Sequence, residues 1–164
     1  NQLHLVNTYG AFGSITKVRN ELIIMGTSDE IINENTEWKE YEFKVKPGNM
    51  NRTLSWITPY HYRLDWVMWF AAFQSLEENP WILNMIWKLL NNDPGMLKII
   101  KHNPFPDEPP RYIKIEFYNY KFSHDPEIIW ERKYLGNWLP PLSKDDERLK
   151  SIIEANDWDV YEKN

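Results

Sequence analysis

Hydrophobic and polar positions divide the chain into strand-forming ends and a helical middle. Residues 3–6 form a short apolar run that predicts a strand, and Tyr9-Gly10-Ala11-Phe12-Gly13 follows as a glycine-punctuated turn. Residues 21–27 (ELIIMGT) read as a strand near a sheet centre, and the polar stretch 28–37 reads as a loop. Along 38–46, Tyr41, Phe43 and Val45 alternate with Glu40, Glu42, Lys44 and Lys46, which predicts a strand with one buried and one wet face. Lys46-Pro47-Gly48-Asn49 carries the turn chemistry that ends it.

The period then changes from two to 3.6. Leu64, Val67, Met68 and Ala71 share one helical face, and Trp66, Trp69, Phe70 and Phe73 share another. Two apolar faces predict a helix over about 64–75 that is buried between layers. Asn79-Pro80 and Asp93-Pro94 each pair a capping residue with proline at the first helical position, so helices are expected over 80–91 and 94–101. Ile82, Met85, Ile86 and Leu89 carry the apolar stripe of the first of these.

Beyond a proline-rich connection, 111–123 reads as a long strand. Ile113, Ile115 and Phe117 share one parity and Tyr118, Tyr120 and Phe122 the other, which suggests a β-bulge near Phe117-Tyr118. Residues 128–135 are its expected antiparallel partner, stopped by Leu139-Pro140-Pro141. Ser143 is the expected N-cap of a polar C-terminal helix running to about Asn156, with Asp145-Asp146-Glu147 complementing its dipole. The pattern is an α+β fold: an antiparallel sheet with strands near 3–6, 21–27, 38–46, 111–123 and 128–135, a central helical insert and a terminal helix. At 164 residues a single domain, 1–164, is expected.

Composition changes this picture in one respect. Nine Trp, nine Tyr and seven Phe predict a dense core that is polar at its edges, or an aromatic surface that meets a partner. A net charge of −5, with no basic run longer than two residues, argues against nucleic acid and against an anionic membrane surface. There are no cysteines, so disulfides and thiolate zinc sites are ruled out, and the compartment stays open. The longest apolar stretch, 66–73, falls far short of the ~20 residues that cross a bilayer. The chain starts at Asn1-Gln2-Leu3 without an initiating Met and reads as a fragment or excised domain, with any targeting or membrane segment expected upstream.

Catalytic motifs are missing: there is no Gly-x-Ser-x-Gly, no phosphate-binding glycine loop and no His-Glu-x-x-His. No catalytic residue, cofactor or metal is therefore assigned. His4, His61, His102 and His124 are dispersed. Asp29, Glu30, Glu34 and Glu37 lack the spacing of a calcium loop and read as a solvated loop. Asn51-Arg52-Thr53 is an N-glycosylation acceptor on an expected surface turn. One constellation stands out, Pro59-Tyr60-His61-Tyr62-Arg63-Leu64-Asp65-Trp66. It reads either as a site, with His61 as acid or base or Arg63 and Asp65 gripping a partner, or as groups satisfying a buried helix N-terminus.

The ordered series Asn7-Thr8-Tyr9-Gly10-Ala11-Phe12-Gly13, Glu40-Tyr41-Glu42-Phe43, Lys46-Pro47-Gly48 and Pro59 through Trp66 to Trp69-Phe70-Ala71-Ala72 resembles the C-terminal region of the lipase maturation factor family. Asn103-Pro104-Phe105, Pro109-Pro110, Tyr118-x-Tyr120-x-Phe122 and Pro140-Pro141 continue it in order, over roughly 7–142. The resemblance implies the lumenal domain of a multi-pass endoplasmic-reticulum membrane protein, a helper in the folding, assembly and export of secreted lipases rather than an enzyme. Its implied partner is a client lipase, and it meets the membrane only through upstream segments. No catalytic residue carries over. The motif residues Tyr9, Gly10, Tyr41, Phe43, Pro47, Gly48, Tyr60, His61, Arg63, Asp65, Trp66, Asn103, Pro104 and Phe105 are expected to be structural. A carbohydrate-binding module that stacks sugars on exposed Trp and Tyr is the competing expectation, and a hydrolase built around His61 or His124 is the third.

Overall fold

The computed structural model describes residues 18–53, 55 and 61–158, so the expected strand at 3–6, together with Tyr9, Gly10 and Tyr60, lies outside the described residues. Among the described residues four strands, β1 (Arg19–Thr27), β2 (Lys39–Glu40), β3 (Tyr112–Phe122) and β4 (Trp130–Ser143), form an antiparallel sheet in the order β2-β1-β3-β4. Four helices accompany them: α1 (Arg63–Ala71), α2 (Trp81–Leu90), α3 (Pro94–Ile99) and α4 (Glu147–Ala155). The fold is α+β, as the pattern predicts.

Alternation along β1 and β3 sets the two layers. Leu22, Ile24, Ile113 and Ile115 point to one face and join Met68, Ile82, Ile86, Leu89, Leu149 and Ile153 in the main core. There α1 packs against β1, and α2 packs against α3, α4 and β3. On the opposite face Ile23, Tyr120 and Trp130 make a smaller cluster beside buried or half-buried charged side chains.

Several predicted elements change in extent for identifiable reasons. Over 38–46 only Lys39–Glu40 pairs in the sheet. Tyr41 still donates its N–H to the Ile24 carbonyl at 3.0 Å, but Glu42 turns away to pair with His102. Beyond it, side chains replace the ladder: the Arg52 guanidinium donates to the Phe43 and Lys44 carbonyls, and Asp65 accepts from the Val45 and Lys46 N–H groups. Lys46, expected on the wet face, is buried.

Helix α1 ends at Ala71 instead of 75 because Ala72, Phe73 and Gln74 tighten to i→i+3 bonds. Its two aromatic and aliphatic faces are not both buried; Asp65, Met68 and Ala71 are. Asn79 does not cap α2; its side chain bonds Gln74, the Ser75 carbonyl and the Trp81 indole. Asp93 does cap α3, accepting from Met96 N at 2.7 Å. That helix stops at Ile99 because Lys101 and His102 donate to the Glu42 carbonyl.

Strand β4 does not stop at Pro140-Pro141. It runs to Ser143 through register shifts, where both prolines face the single residue Lys114. As an outer strand it tolerates the missing N–H donors. A shift does fall at Phe117/Tyr118, but the extra residue is Leu135 in β4, next to Gly136 at φ 151°. The pairing of β3 with β1 runs unbroken, so the parity change in the sequence marks a second apolar face. Asp146, not Ser143, caps α4, accepting from Arg148 N and Leu149 N.

Candidate functional site

The described part of the constellation, 61–73, opens onto a cleft of ≈ 350 Å³ at the Arg19 end of β1. One wall is His61, Tyr62, Asp65, Trp66 and Trp69; the other is Val45, Lys46, Pro47, Arg52 and Trp130. Trp66 meets Trp69 and Phe70 edge-on at 5.6 and 5.5 Å, and Trp69 meets Phe73 at 5.6 Å. This aromatic ladder follows from the i, i+3, i+4, i+7 spacing along α1. Phe73 is 48% exposed, so the ladder emerges from the cleft onto the surface.

Asp65 is 4% exposed. Its Oδ1 accepts from Val45 N at 2.6 Å and Lys46 N at 2.9 Å, while Oδ2 is buried without a hydrogen-bond partner. Asp65 therefore satisfies a neighbouring segment rather than the end of its own helix. Arg63 is exposed and does not pair with it. His61 is exposed too, with its ring 5.9 Å from Trp66. No hydrogen bond joins His61 to Asp65, nor to the cleft hydroxyls Thr53 and Ser55, so these described residues do not form a hydrogen-bonded nucleophile–base pair.

The cations on the wall are already engaged. Lys46 Nζ donates to the Leu22 carbonyl at 2.8 Å and lies 3.3 Å from Glu21 Oε2. Glu21 is fully buried, and its Oε1 takes Arg19 Nε at 2.9 Å. Burying an ion pair is costly unless other hydrogen bonds complete its shell. The Leu22 carbonyl and Arg19 supply part of that shell, while Glu21 Oε2 is buried with the 3.3 Å ion-pair contact to Lys46 and no hydrogen bond. Lys46 also stands 5.1 Å over the Phe43 ring, and Arg19 5.8 Å over Trp130.

The other motif residues take up positions around this platform. The Tyr120 phenol donates to the Gly48 carbonyl at 2.8 Å, and its burial pushes its pKa up to about 12. Trp130 Nε1 donates to the Arg52 carbonyl at 3.0 Å, and Ile129 N and Trp130 N donate to the Met50 carbonyl. Asn103 brackets Pro104 by bonding both the N–H and the carbonyl of Phe105. The Phe105 ring lies 5.8 Å from Tyr41 and against Gly26, where a Cβ would come within 2.6 Å of it. Tyr41 is buried, which raises its phenol pKa well above the ordinary range. Asn51 is exposed on the turn after Gly48.

Sequence reasoning missed Glu21, Arg52, Trp130 and Gly26. A glutamate opening the run ELIIMGT was a readable signal of a buried carboxylate. Nothing local marked Lys46 as its partner. Among the described residues, no group of three or more His, Asp or Glu converges as a metal site. In the 28–37 loop, Asp29 accepts from Glu37 N and Glu30 pairs with Arg111.

The architecture so far defines an α+β domain whose aromatic cleft is built over a side-chain-pinned loop. Comparison supplies the family. The description "Lipase maturation factor C-terminal domain" matches residues 5–140, and the chain belongs to the lipase maturation factor family. It is 51% identical to "Lipase maturation factor 1" of Homo sapiens over 96% of this chain and 29% of that protein. The corresponding protein of Mus musculus is 47% identical over 99% and 29%, and "Lipase maturation factor 2" of Mus musculus is 32% identical over 93% and 22%. The chain thus spans under a third of the length of these curated relatives. They are named as maturation factors, not as enzymes. No solved structure gives a significant match. Among the described residues no helix is long and apolar enough to cross a membrane.

Proposed function

We propose that residues 1–164 form one lumenal domain of an endoplasmic-reticulum membrane protein that assists the folding, assembly and export of secreted lipases. The observation that carries this reading is the family match over 5–140, with 51% identity to a protein named for lipase maturation. The domain works by contact with a client lipase and not by covalent chemistry. The relatives' names support that, as does the commitment of Asp65 Oδ1 to main-chain N–H groups. The motif residues act structurally: Asp65, Pro47 and Gly48 fix the loop beneath α1, while Tyr41, Phe43 and Phe105 fill the core beside it. A sugar-stacking module is less well supported, because Tyr41 is buried and Lys114 stands 4.2 Å over the Trp38 ring.

The test is a secretion assay in cells lacking the factor. Full-length protein is expected to restore active secreted lipase, and protein lacking these 164 residues is expected to fail. Full restoration by the truncated protein would overturn the reading.

A further inference from the structure

We propose that Asn51 carries an N-linked glycan whose stem stands on the rim of the tryptophan cleft. Asn51-Arg52-Thr53 is the one Asn-x-Ser/Thr sequence, with x not proline, in the chain. Such triplets also occur by chance, so the fold decides whether this one can carry a sugar. Glycan attachment makes the side chain bulky and keeps it at the surface in the native state. Asn51 and Thr53 are both exposed, and no hydrogen bond or ion pair ties down the Asn51 side-chain amide.

The residue between them points the other way. The Arg52 side chain turns inward to the Phe43 and Lys44 carbonyls, and its own carbonyl takes the Trp130 indole. Asn49 closes the turn by accepting from Asn51 N and Arg52 N, both at 3.0 Å. The backbone of the triplet is therefore fixed, while its two chemically required side chains face solvent. Because Arg52 and Thr53, which follow Asn51 in the chain, line the cleft together with Trp66 and Trp130, a sugar on Asn51 starts at the edge of that cleft.

This inference rests on the lumenal reading, and the experiment separates the two. Full-length protein would be expressed in secretory cells as wild type, Asn51→Gln, Thr53→Ala and Thr53→Ser, then digested with an endoglycosidase and compared by gel mobility. A fifth form, Asn51→Gln with Asn35→Thr, places an acceptor triplet at Asn33 in the exposed 28–37 loop. Wild type and Thr53→Ser are expected to lose one glycan's worth of mass on digestion that Asn51→Gln and Thr53→Ala lack. If wild type and Asn51→Gln migrate alike while the Asn33 acceptor is used, the Asn51 proposal falls and the lumenal reading stands. If neither position is used, both fall.

Discussion

Helices α1 and α2 are written in the same period and sit in opposite environments. In α2, Ile82, Leu83, Met85, Ile86, Trp87, Leu89 and Leu90 are buried, seven of its ten residues, and the helix is held by apolar contact with β3, α3 and α4. In α1 only Asp65, Met68 and Ala71 are buried. It is held on one side by apolar packing on β1 and on the other by a carboxylate gripping two main-chain N–H groups. The difference lies in what each helix faces. α2 meets three apolar surfaces, whereas α1 covers a loop whose backbone must be satisfied by side chains. That leaves the α1 aromatics free to form a cleft wall.

Breaking each mode of attachment should give distinct results. The largest loss is expected beneath α1, where Lys46→Met leaves buried Glu21 with only the partly exposed Arg19 as counter-charge, at a cost of about 3–5 kcal/mol in denaturant unfolding. If Glu21→Met is added and stability does not recover, the charge explanation is wrong. In α2, Ile86→Ala should cost about 2–5 kcal/mol, since Ile86 is fully buried. In α1, Asp65→Ala strips the acceptor from Val45 N and Lys46 N, worth about 1–3 kcal/mol for each group left unsatisfied. Asp65→Asn keeps an acceptor and should retain most of the stability; equal losses for the two would mean that charge, not hydrogen bonding, holds the segment.

The Tyr120 phenol tests the same loop by pH. Its folded pKa is raised to about 12 from an ordinary 10.0, so the neutral phenol stabilises the fold fully below pH 10 and the contribution fades as pH rises through 12. Near pH 11 the loss is about 1.4 kcal/mol, and Tyr120→Phe should remove that share of the alkaline slope. The smallest effect is expected on the exposed side of α1. Arg63→Ala is exposed and Phe73→Ala is half exposed, so both should leave stability within about 0.5 kcal/mol. A large melting shift for either would show that the open face of α1 is covered.

The elements were legible wherever one local rule decided them. The ELIIMGT run became β1, the stripe through Ile82 and Leu89 became α2, and Asp93-Pro94 opened α3 as its cap predicts. The same rules failed where a distant group competed. Residues 43–46 alternate like a strand, yet Arg52 and Asp65 take the backbone groups that a neighbouring strand would otherwise take. Pro140-Pro141 would stop a central strand, but β4 lies at the edge of the sheet that the described residues form, where unpaired positions cost little. At the site, 59–73 was readable as a constellation. Its division of labour was not: Asp65 turned to another segment, and Arg63 was left to solvent.

The sequence by itself determined the fold class, the order of the described elements and, through an ordered series of short motifs, the family. These rest on period and composition, which act over a few residues. Tertiary structure alone decided that Glu21 and Lys46 share a buried ion pair, that Asp65 and Arg52 replace a strand's ladder, and that Trp66, Trp69 and Trp130 enclose one cleft. Each joins residues far apart in the chain, where the deciding terms are desolvation and unmet hydrogen bonds, and those exist only once the layers have closed.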